Sequence, residues 1–174
     1  MFAHDREHGC LGIDPGLTRC GYALLSAASG NRVVAGALGV LTTPSDDALE
    51  DRLLALHHDV AALIDEYAPS TVAIERVFFQ NNASTAMGTA QASAVVLLVA
   101  RSRGIQIAHY TPSQVKLAVA GSGSADKAAI RAMVRKRLEL SRDPSPTDAA
   151  DAAAVALCHL ASAPLARAVS MGRA

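Results

Sequence analysis

The feature that most constrains the fold is a run of three short apolar segments, at residues 9–14, 19–27 and 33–42, that precede any helical pattern. Each segment is rich in Val, Leu or Ile, and glycine-containing turns separate them, which is typical of consecutive β-strands. The sequence therefore predicts that the chain begins with a three-stranded meander.

The pattern after residue 42 changes to alternating helices and strands. An amphipathic helix is predicted at about 46–67, because its apolar residues recur at steps of three and four and form one stripe. The remaining predicted elements are a buried strand at 71–75, a helix at about 84–102, a strand at 105–110, and helices at about 112–119, 126–140 and 146–161. This order predicts the α/β class, with a mixed sheet flanked by helices.

Length and composition favour one domain over residues 1–174, with short flexible ends at about 1–8 and 163–174. The chain is 51% apolar but only 3% aromatic, so Ala, Leu and Val must fill its core. No stretch reaches the roughly 18 apolar residues of a membrane helix, and the charged first ten residues do not resemble a signal peptide. Three cysteines without C-x-x-C spacing fit a reducing compartment, so we expect a cytoplasmic protein.

Charge is segregated along the chain although the formal net charge is zero. Residues 44–75 carry eight acids and one base, whereas residues 101–142 carry nine bases and two acids. Such a chain can present a basic face to nucleic acid while remaining neutral as a whole. Two ordinary solvated faces are an equally good interpretation of the charges alone.

Two acids close predicted strands, since Asp14 ends the first segment and Glu75 ends TVAIE at 71–75. Ligand sites in open α/β sheets lie beyond the carboxyl ends of the strands. If the two strands are parallel neighbours, both carboxylates project into one crevice. Capping of a nearby turn is the competing interpretation, and it is stronger for Asp14 than for Glu75.

Asp148 and Asp151 are three residues apart in a predicted helix, which puts them on one helical face. The local alternative is an ordinary helix start, with Ser145 as N-cap, Pro146 as the first helical residue and Asp148 in the first turn. Four carboxylates on one side of a fold would repel one another unless cations bound between them. Oxygen ligands with this charge suit Mg²⁺ or Mn²⁺. Two such ions can clamp a phosphodiester and activate the attacking water.

Four segments together resemble the RuvC family of Holliday junction resolvases. They are LGIDPG at 11–16 with GY at 21–22, IERVFFQNN at 74–82, the QVK and GSADK region within 114–127, and DAADAAAVALCH at 148–159. The resemblance runs from about residue 10 to 161 and implies a ribonuclease H-like fold. It also implies a homodimer that works with a branch-migration motor complex and nicks four-way DNA junctions symmetrically. The implied cofactor is two Mg²⁺ per subunit, with Mn²⁺ able to substitute, and the implied products are 5′-phosphate and 3′-hydroxyl ends.

The resemblance also assigns roles to individual residues. Four acids match the family's catalytic and metal-binding positions, and we refer to them as the acidic tetrad: Asp14, Glu75, Asp148 and Asp151. Phe78 matches a position that contacts bases at the junction centre, while strand alternation assigns its neighbour Phe79 to the core. Lys116 and Lys127 match basic residues that are important for activity.

Further basic residues are candidates for DNA contact. Lys127 lies at a predicted helix start, where the helix dipole disfavours a cation, and free N–H groups there predict a phosphate seat. Arg131 continues the same basic helix, and Arg76 directly follows Glu75. An ordinary solvated surface charge is the commoner interpretation for a residue such as Arg131, and nothing in the sequence fixes the direction of Arg76.

Three other functions use parts of this pattern. D-x-G after a strand also opens the actin-like and sugar-kinase-like ATPases, but 174 residues cannot supply the two domains that these enzymes need. A nuclease acting on pre-ribosomal RNA shares the fold and a similar first motif. A non-catalytic junction-binding protein would use the basic face and Phe78, but four convergent acids weaken binding to a polyanion.

Overall fold

The structure is a computed structural model that describes residues 9–76 and 83–171, with the backbone alone at 31, 83–85 and 163–171. Its strands are β1 (Cys10–Asp14), β2 (Arg19–Ala27), β3 (Val33–Thr42), β4 (Thr71–Glu75) and β5 (Gln106–Tyr110). Its helices are α1 (Leu49–Tyr67), α2 (Ala83–Ser102), α3 (Pro112–Ala120), α4 (Lys127–Arg137) and α5 (Thr147–Met171).

The strands form one mixed sheet in the order β3-β2-β1-β4-β5. β1, β2 and β3 pair in antiparallel fashion as a meander, whereas β4 is parallel to β1 and β5 is parallel to β4. The predicted α/β class and the predicted strand arrangement are therefore confirmed. The strong period-two and apolar patterns explain why the predicted bounds of β2, β3 and β4 agree with the observed ones.

Helix ends were predicted less well than strands. The helix expected from about 46 begins at Leu49, and its N-cap residue Ala48 offers no side-chain acceptor. The last helix, expected to end near 161, continues to Met171. The predicted end was wrong because residues 160–171 are mostly Ala, Leu, Arg and Val, most of which support a helix once it has begun.

Two apolar clusters cover the two faces of the sheet. One cluster joins α3, α4 and α5 to inward-facing strand residues such as Cys10, Ala23 and Ala73. The other joins α1 and α2 to residues of the opposite face, such as Leu11 and Ile13. The acidic helix α1 and the basic helix α4 therefore pack on opposite faces, so the charge segregation along the chain is also a separation in space.

All three cysteines are free and buried. Burial raises the pKa of the Cys10 and Cys20 thiols to about 12, which keeps them protonated and unreactive. Within the described ranges, no helix combines the length and apolar character needed to span a membrane.

Candidate active site

Strand pairing places Asp14 and Glu75 side by side. β1 and β4 are parallel, with Ile13 opposite Ile74, so the residues that follow them are neighbours at the carboxyl ends of the two strands. Successive strand residues alternate between faces, and Ala73 belongs to the cluster on the α5 face. Glu75, two residues later, faces the same side. The predicted parallel pairing of the two acid-bearing strands is confirmed.

Two glycines allow α5 to lie directly on the sheet. A Cβ atom built on Gly12 would overlap the carbonyl oxygen of Ala152, and one built on Gly21 would overlap the carbonyl oxygen of Asp148. Gly21 also pairs with Asp14 across β1 and β2. The absence of these two side chains therefore lets the first turns of α5 lie directly on β1 and β2, beside Asp14.

The start of α5 differs from the expected one. The Ser145–Pro146 peptide bond is cis, and the helix begins at Thr147 rather than at Pro146. Asp148 is still in the first turn, as the local interpretation requires. Its carboxylate is also bound by a side chain 129 residues away in the sequence, so its interactions are not limited to the helix start.

A cavity of about 240 Å³ lies where these elements meet. Three acids and two bases line it: Asp14, Glu75, Asp151, Lys116 and Lys127. Asp148 is absent from the lining, but its charge acts on Asp14. The structure thus brings together the residues that the sequence predicts as one acidic site, with both predicted lysines beside them.

Burial and mutual repulsion alter the acidity of the two strand carboxyls. Burial, followed by the charges of Asp151, Glu75 and Asp148, raises the pKa of Asp14 from 3.8 to about 7. Burial and Asp151 also raise the pKa of Glu75, against the opposing effect of Lys127 and Lys116. Burial and the neighbouring acids therefore outweigh the effect of the lysines on both strand carboxyls.

Two basic side chains already bind the carboxylates of α5. The Nε and Nη2 atoms of Arg19 donate to Oδ2 of Asp148 at 3.0 and 2.7 Å, and Lys127 Nζ donates to Oδ2 of Asp151 at 3.3 Å. Burial alone would raise the pKa of Asp148, but the hydrogen bond from Arg19 and the charges of Arg19 and Lys127 lower it overall. Near neutral pH, the Asp148 carboxyl is therefore ionised, whereas the Asp14 carboxyl is only partly ionised.

The raised pKa of Asp14 predicts a pH dependence of stability in the metal-free protein. Because the folded-state pKa exceeds the ordinary value, this carboxyl stabilises the fold fully below about pH 3.8, and the contribution is lost as the pH rises to about 7. We expect the unfolding free energy of wild type to fall relative to Asp14→Asn across that range, by up to roughly 4 kcal/mol. Urea unfolding with chelator, at a series of pH values, measures the difference. Parallel stability curves for the two proteins would contradict the prediction.

The acidic tetrad offers carboxylate oxygens, which are the ligands that hard divalent cations prefer. A cation between them would relieve the mutual repulsion that, together with burial, raises the pKa of Asp14. No three His, Cys, Asp or Glu side chains in residues 9–76 and 83–171 are arranged to hold a metal ion. Two of the acids, Asp148 and Asp151, each have a carboxylate oxygen bound to a basic side chain.

The predicted DNA contacts separate into three groups. Lys116 and Lys127 line the cavity, whereas Arg76 and Arg131 do not. Arg76 is exposed and borders a different groove beside α2. The Nε atom of Arg131 is buried and has no hydrogen-bond partner among the residues that the structure describes. Phe78 lies outside the described residues, as does Phe79.

The start of α4 only partly matches the predicted phosphate seat. Lys127 is the first residue of α4, as expected, and the preceding loop contains Gly121. The side chain of Asp126 is the N-cap and accepts from the Ala129 N–H at 2.7 Å. One of the N–H groups expected to bind phosphate is therefore already occupied, and Lys127 turns toward Asp151.

Sequence reasoning missed the residues that hold the loop between β1 and β2. Thr43 Oγ1 donates to the Leu17 carbonyl at 2.6 Å, and Arg52 donates to Thr43 Oγ1 and to Thr18 Oγ1 at 3.0 and 2.7 Å. Arg19 follows this loop directly. Nothing in the local pattern singled out these residues, because their contacts with the loop join residues 26 and 34 positions apart.

Residues 10–159 match the family described as crossover junction endodeoxyribonuclease RuvC. A relative of that name from Streptomyces avermitilis is 52% identical over 154 residues, covering 88% of each chain. One from Mycobacterium tuberculosis is also 52% identical over 154 residues, covering 88% of this chain and 82% of the relative.

Solved structures agree with the sequence relatives. Thermus thermophilus RuvC is 31% identical with a TM-score of 0.84, covering 91% of this chain and 96% of its own. T. thermophilus RuvC in complex with Holliday junction substrate is 29% identical with a TM-score of 0.82, covering 90% and 96%. The ribonuclease H-like fold implied by the sequence motifs is thereby confirmed. The placement of the acidic tetrad on this fold and the match over most of its length lead to one conclusion: the chain belongs to the RuvC family of crossover junction endodeoxyribonucleases.

Proposed function

We propose that this protein resolves four-way DNA junctions by paired, symmetric nicks, as a divalent-metal-dependent endodeoxyribonuclease acting in recombination and repair. The observation that carries the proposal is the cavity in which acids from β1, β4 and α5 meet Lys116 and Lys127. Phosphodiester hydrolysis needs negative ligands for metal ions and positive groups for the phosphate, and this cavity offers both. A close structural relative was solved in complex with Holliday junction substrate.

Each member of the acidic tetrad has a role in this proposal. Asp14, Glu75, Asp148 and Asp151 would hold two Mg²⁺ ions. When bound, the ions supply an activated water and neutralise charge on the scissile phosphate. Lys116 and Lys127 at the cavity wall orient the phosphate, and the expected products carry 5′-phosphate and 3′-hydroxyl ends. Asp14, as the last residue of β1, would hold the ions beside the sheet.

DNA would approach the side of the sheet that carries α3 and α4. The last turn of α4 contains Arg135, Lys136 and Arg137, and the acidic helix α1 is on the opposite face. Recognition by such a surface depends on backbone phosphates and on salt concentration more than on base sequence. The assignment of DNA contacts to Arg76, Arg131 and Phe78 stays a prediction. The motor complex as a partner and the cytoplasm as the location also stay predictions.

The competing functions are less well supported. An RNA-processing nuclease would share the carboxylates, but the family match is to crossover junction endodeoxyribonucleases over residues 10–159. A non-catalytic binding protein would not benefit from a carboxyl whose pKa is raised to about 7 by burial and then by its acidic neighbours.

A homodimer follows from the two-fold symmetry of paired nicks, and α2 offers a surface for it. Leu98 is 67% exposed and Met87 is also exposed, with Ala94 exposed between them. Their spacing of seven and four residues places them along one side of the helix. A solvent-facing apolar stripe of this kind is typical of an interface.

Replacing Leu98 with Glu is expected to weaken self-association by on the order of 2–3 kcal/mol, because a charge would be buried at the interface without a partner. Sedimentation equilibrium measures the dissociation constant. Leu54→Glu, at an exposed position of α1, is the matched control and should remain dimeric. A Leu98→Glu protein that associates as tightly as wild type would rule out this surface.

The experiment that tests the function uses a labelled, mobile four-way junction with Mg²⁺, with Mn²⁺ and with chelator. Linear duplex DNA and structured RNA are the control substrates. Symmetric, metal-dependent nicks in the junction alone support the proposal. Binding without cleavage under every metal would favour the architectural function, and cleavage of RNA alone would favour the ribosomal-RNA function.

A further inference from the structure

Arg19 is a basic residue inside the acidic site that neither the motif analysis nor the cavity lining assigns a role. It begins β2, and both Nε and Nη2 donate to the same oxygen, Oδ2 of Asp148. The paired residues are 129 positions apart in the sequence. The contact is therefore a product of the fold, and it engages a proposed metal ligand.

The loop before Arg19 is fixed by buried contacts. Thr43 is 3% exposed, donates through Oγ1 to the Leu17 carbonyl, and through its backbone N–H to the Thr18 carbonyl at 3.2 Å. Arg52 adds two hydrogen bonds to this pair of threonines. These contacts tie the loop to the residue after β3 and to α1, and so fix the backbone that leads into Arg19.

The guanidinium and a metal ion require the same carboxylate. Oδ2 of Asp148 already accepts two hydrogen bonds from a cation, so a divalent ion that binds this oxygen must displace Arg19. An ion that binds the other oxygen still experiences the repulsion of the nearby positive charge. In both cases Arg19 opposes metal binding at Asp148.

We propose that Arg19 is a functional residue of this site that holds the Asp148 carboxylate in the metal-free protein and competes with the divalent cation for it. The inference deepens the proposed function and rests on it. Lys127 makes a similar contact with Asp151, but at 3.3 Å and with a side chain 76% exposed, compared with 47% for Arg19. The better desolvated pair at Asp148 is the stronger competitor.

The test measures metal affinity directly, without DNA and without cleavage. Mn²⁺ alone is titrated into wild type, Arg19→Gln, Arg19→Ala and Arg19→Lys, and free Mn²⁺ is quantified by electron paramagnetic resonance. Removing the positive charge should tighten Mn²⁺ binding by about two- to fivefold, as expected for loss of a partly exposed ion pair. Arg19→Lys keeps the charge and should bind as wild type does.

Two controls separate this inference from the proposed function. Arg103→Gln removes a remote ion pair with Asp65 and should leave Mn²⁺ affinity unchanged. Asp14→Asn should lose Mn²⁺ binding, and if wild type and every Arg19 variant bind none, both the metal site and the competition are wrong. If Asp14→Asn loses Mn²⁺ but the neutral Arg19 variants bind it as wild type does, or more weakly, only the competition is overturned. Thermal unfolding with chelator checks that each variant is folded, and two neutral substitutions guard against the failure of one.

Discussion

Replacing Asp14 with Asn is expected to lower the rate of junction cleavage by on the order of 10³-fold or more, while junction binding persists. Asn has nearly the shape of Asp, so the end of β1 should keep its structure, but the cavity loses the carboxylate in its most buried position. Loss of a metal ligand removes several kcal/mol of transition-state stabilisation, and each 1.36 kcal/mol is tenfold in rate. Single-turnover cleavage with Mg²⁺, beside gel-shift binding in chelator, measures both quantities.

The charge removed from the site also predicts the direction of the binding change. Without metal, the acidic tetrad repels the phosphate backbone, so Asp14→Asn should bind the junction at least as tightly as wild type in chelator. Asp59→Asn, on the exposed side of α1, is the matched control and should cleave normally. Cleavage by Asp14→Asn within tenfold of the wild-type rate would exclude Asp14 as a metal ligand.

Replacing Gly21 with Ala is expected to separate α5 from the sheet. The added Cβ would overlap backbone atoms of Asp148, which cannot rotate away as a side chain can. Overpacking of this kind costs about 1–3 kcal/mol of stability, and a shift of the helix start by about 1 Å can lower the rate of cleavage about 100-fold. Thermal unfolding and single-turnover cleavage measure the two effects.

A glycine where an added Cβ would make only ordinary van der Waals contacts provides the control for that substitution. A Cβ on Gly9 would meet Ser26 Oγ at 3.4 Å and Leu24 Cδ1 at 3.6 Å, which are ordinary contacts. Gly9→Ala should therefore keep both stability and cleavage near the wild-type values. If Gly21→Ala does the same, the close approach of α5 is not needed to place Asp148.

The elements that local patterns specify were predicted correctly. Alternating and continuous apolar runs predicted the strands correctly. The strand bounds in turn placed Asp14 and Glu75 at strand ends, as observed. The parallel pairing of those strands, which the sequence offered only as a condition, is observed. Helix ends were less accurate, as the start of α1 at Leu49 and the continuation of α5 to Met171 illustrate. Several residue types serve equally well at a helix end, so the sequence signal there is weaker.

What the sequence by itself determined is the set of acids, the strands and helix that carry them, and the family to which they belong. The two-residue period of a strand and the 3.6-residue period of a helix are local properties of the sequence, so both can be recognised without knowing which elements pack together. Only the tertiary structure decided that Arg19 binds Asp148, that Lys127 turns to Asp151, and that Gly21 lies under the first turn of α5. These contacts join residues 24 to 129 positions apart. They depend on how the helix packs against the sheet, which no local pattern encodes.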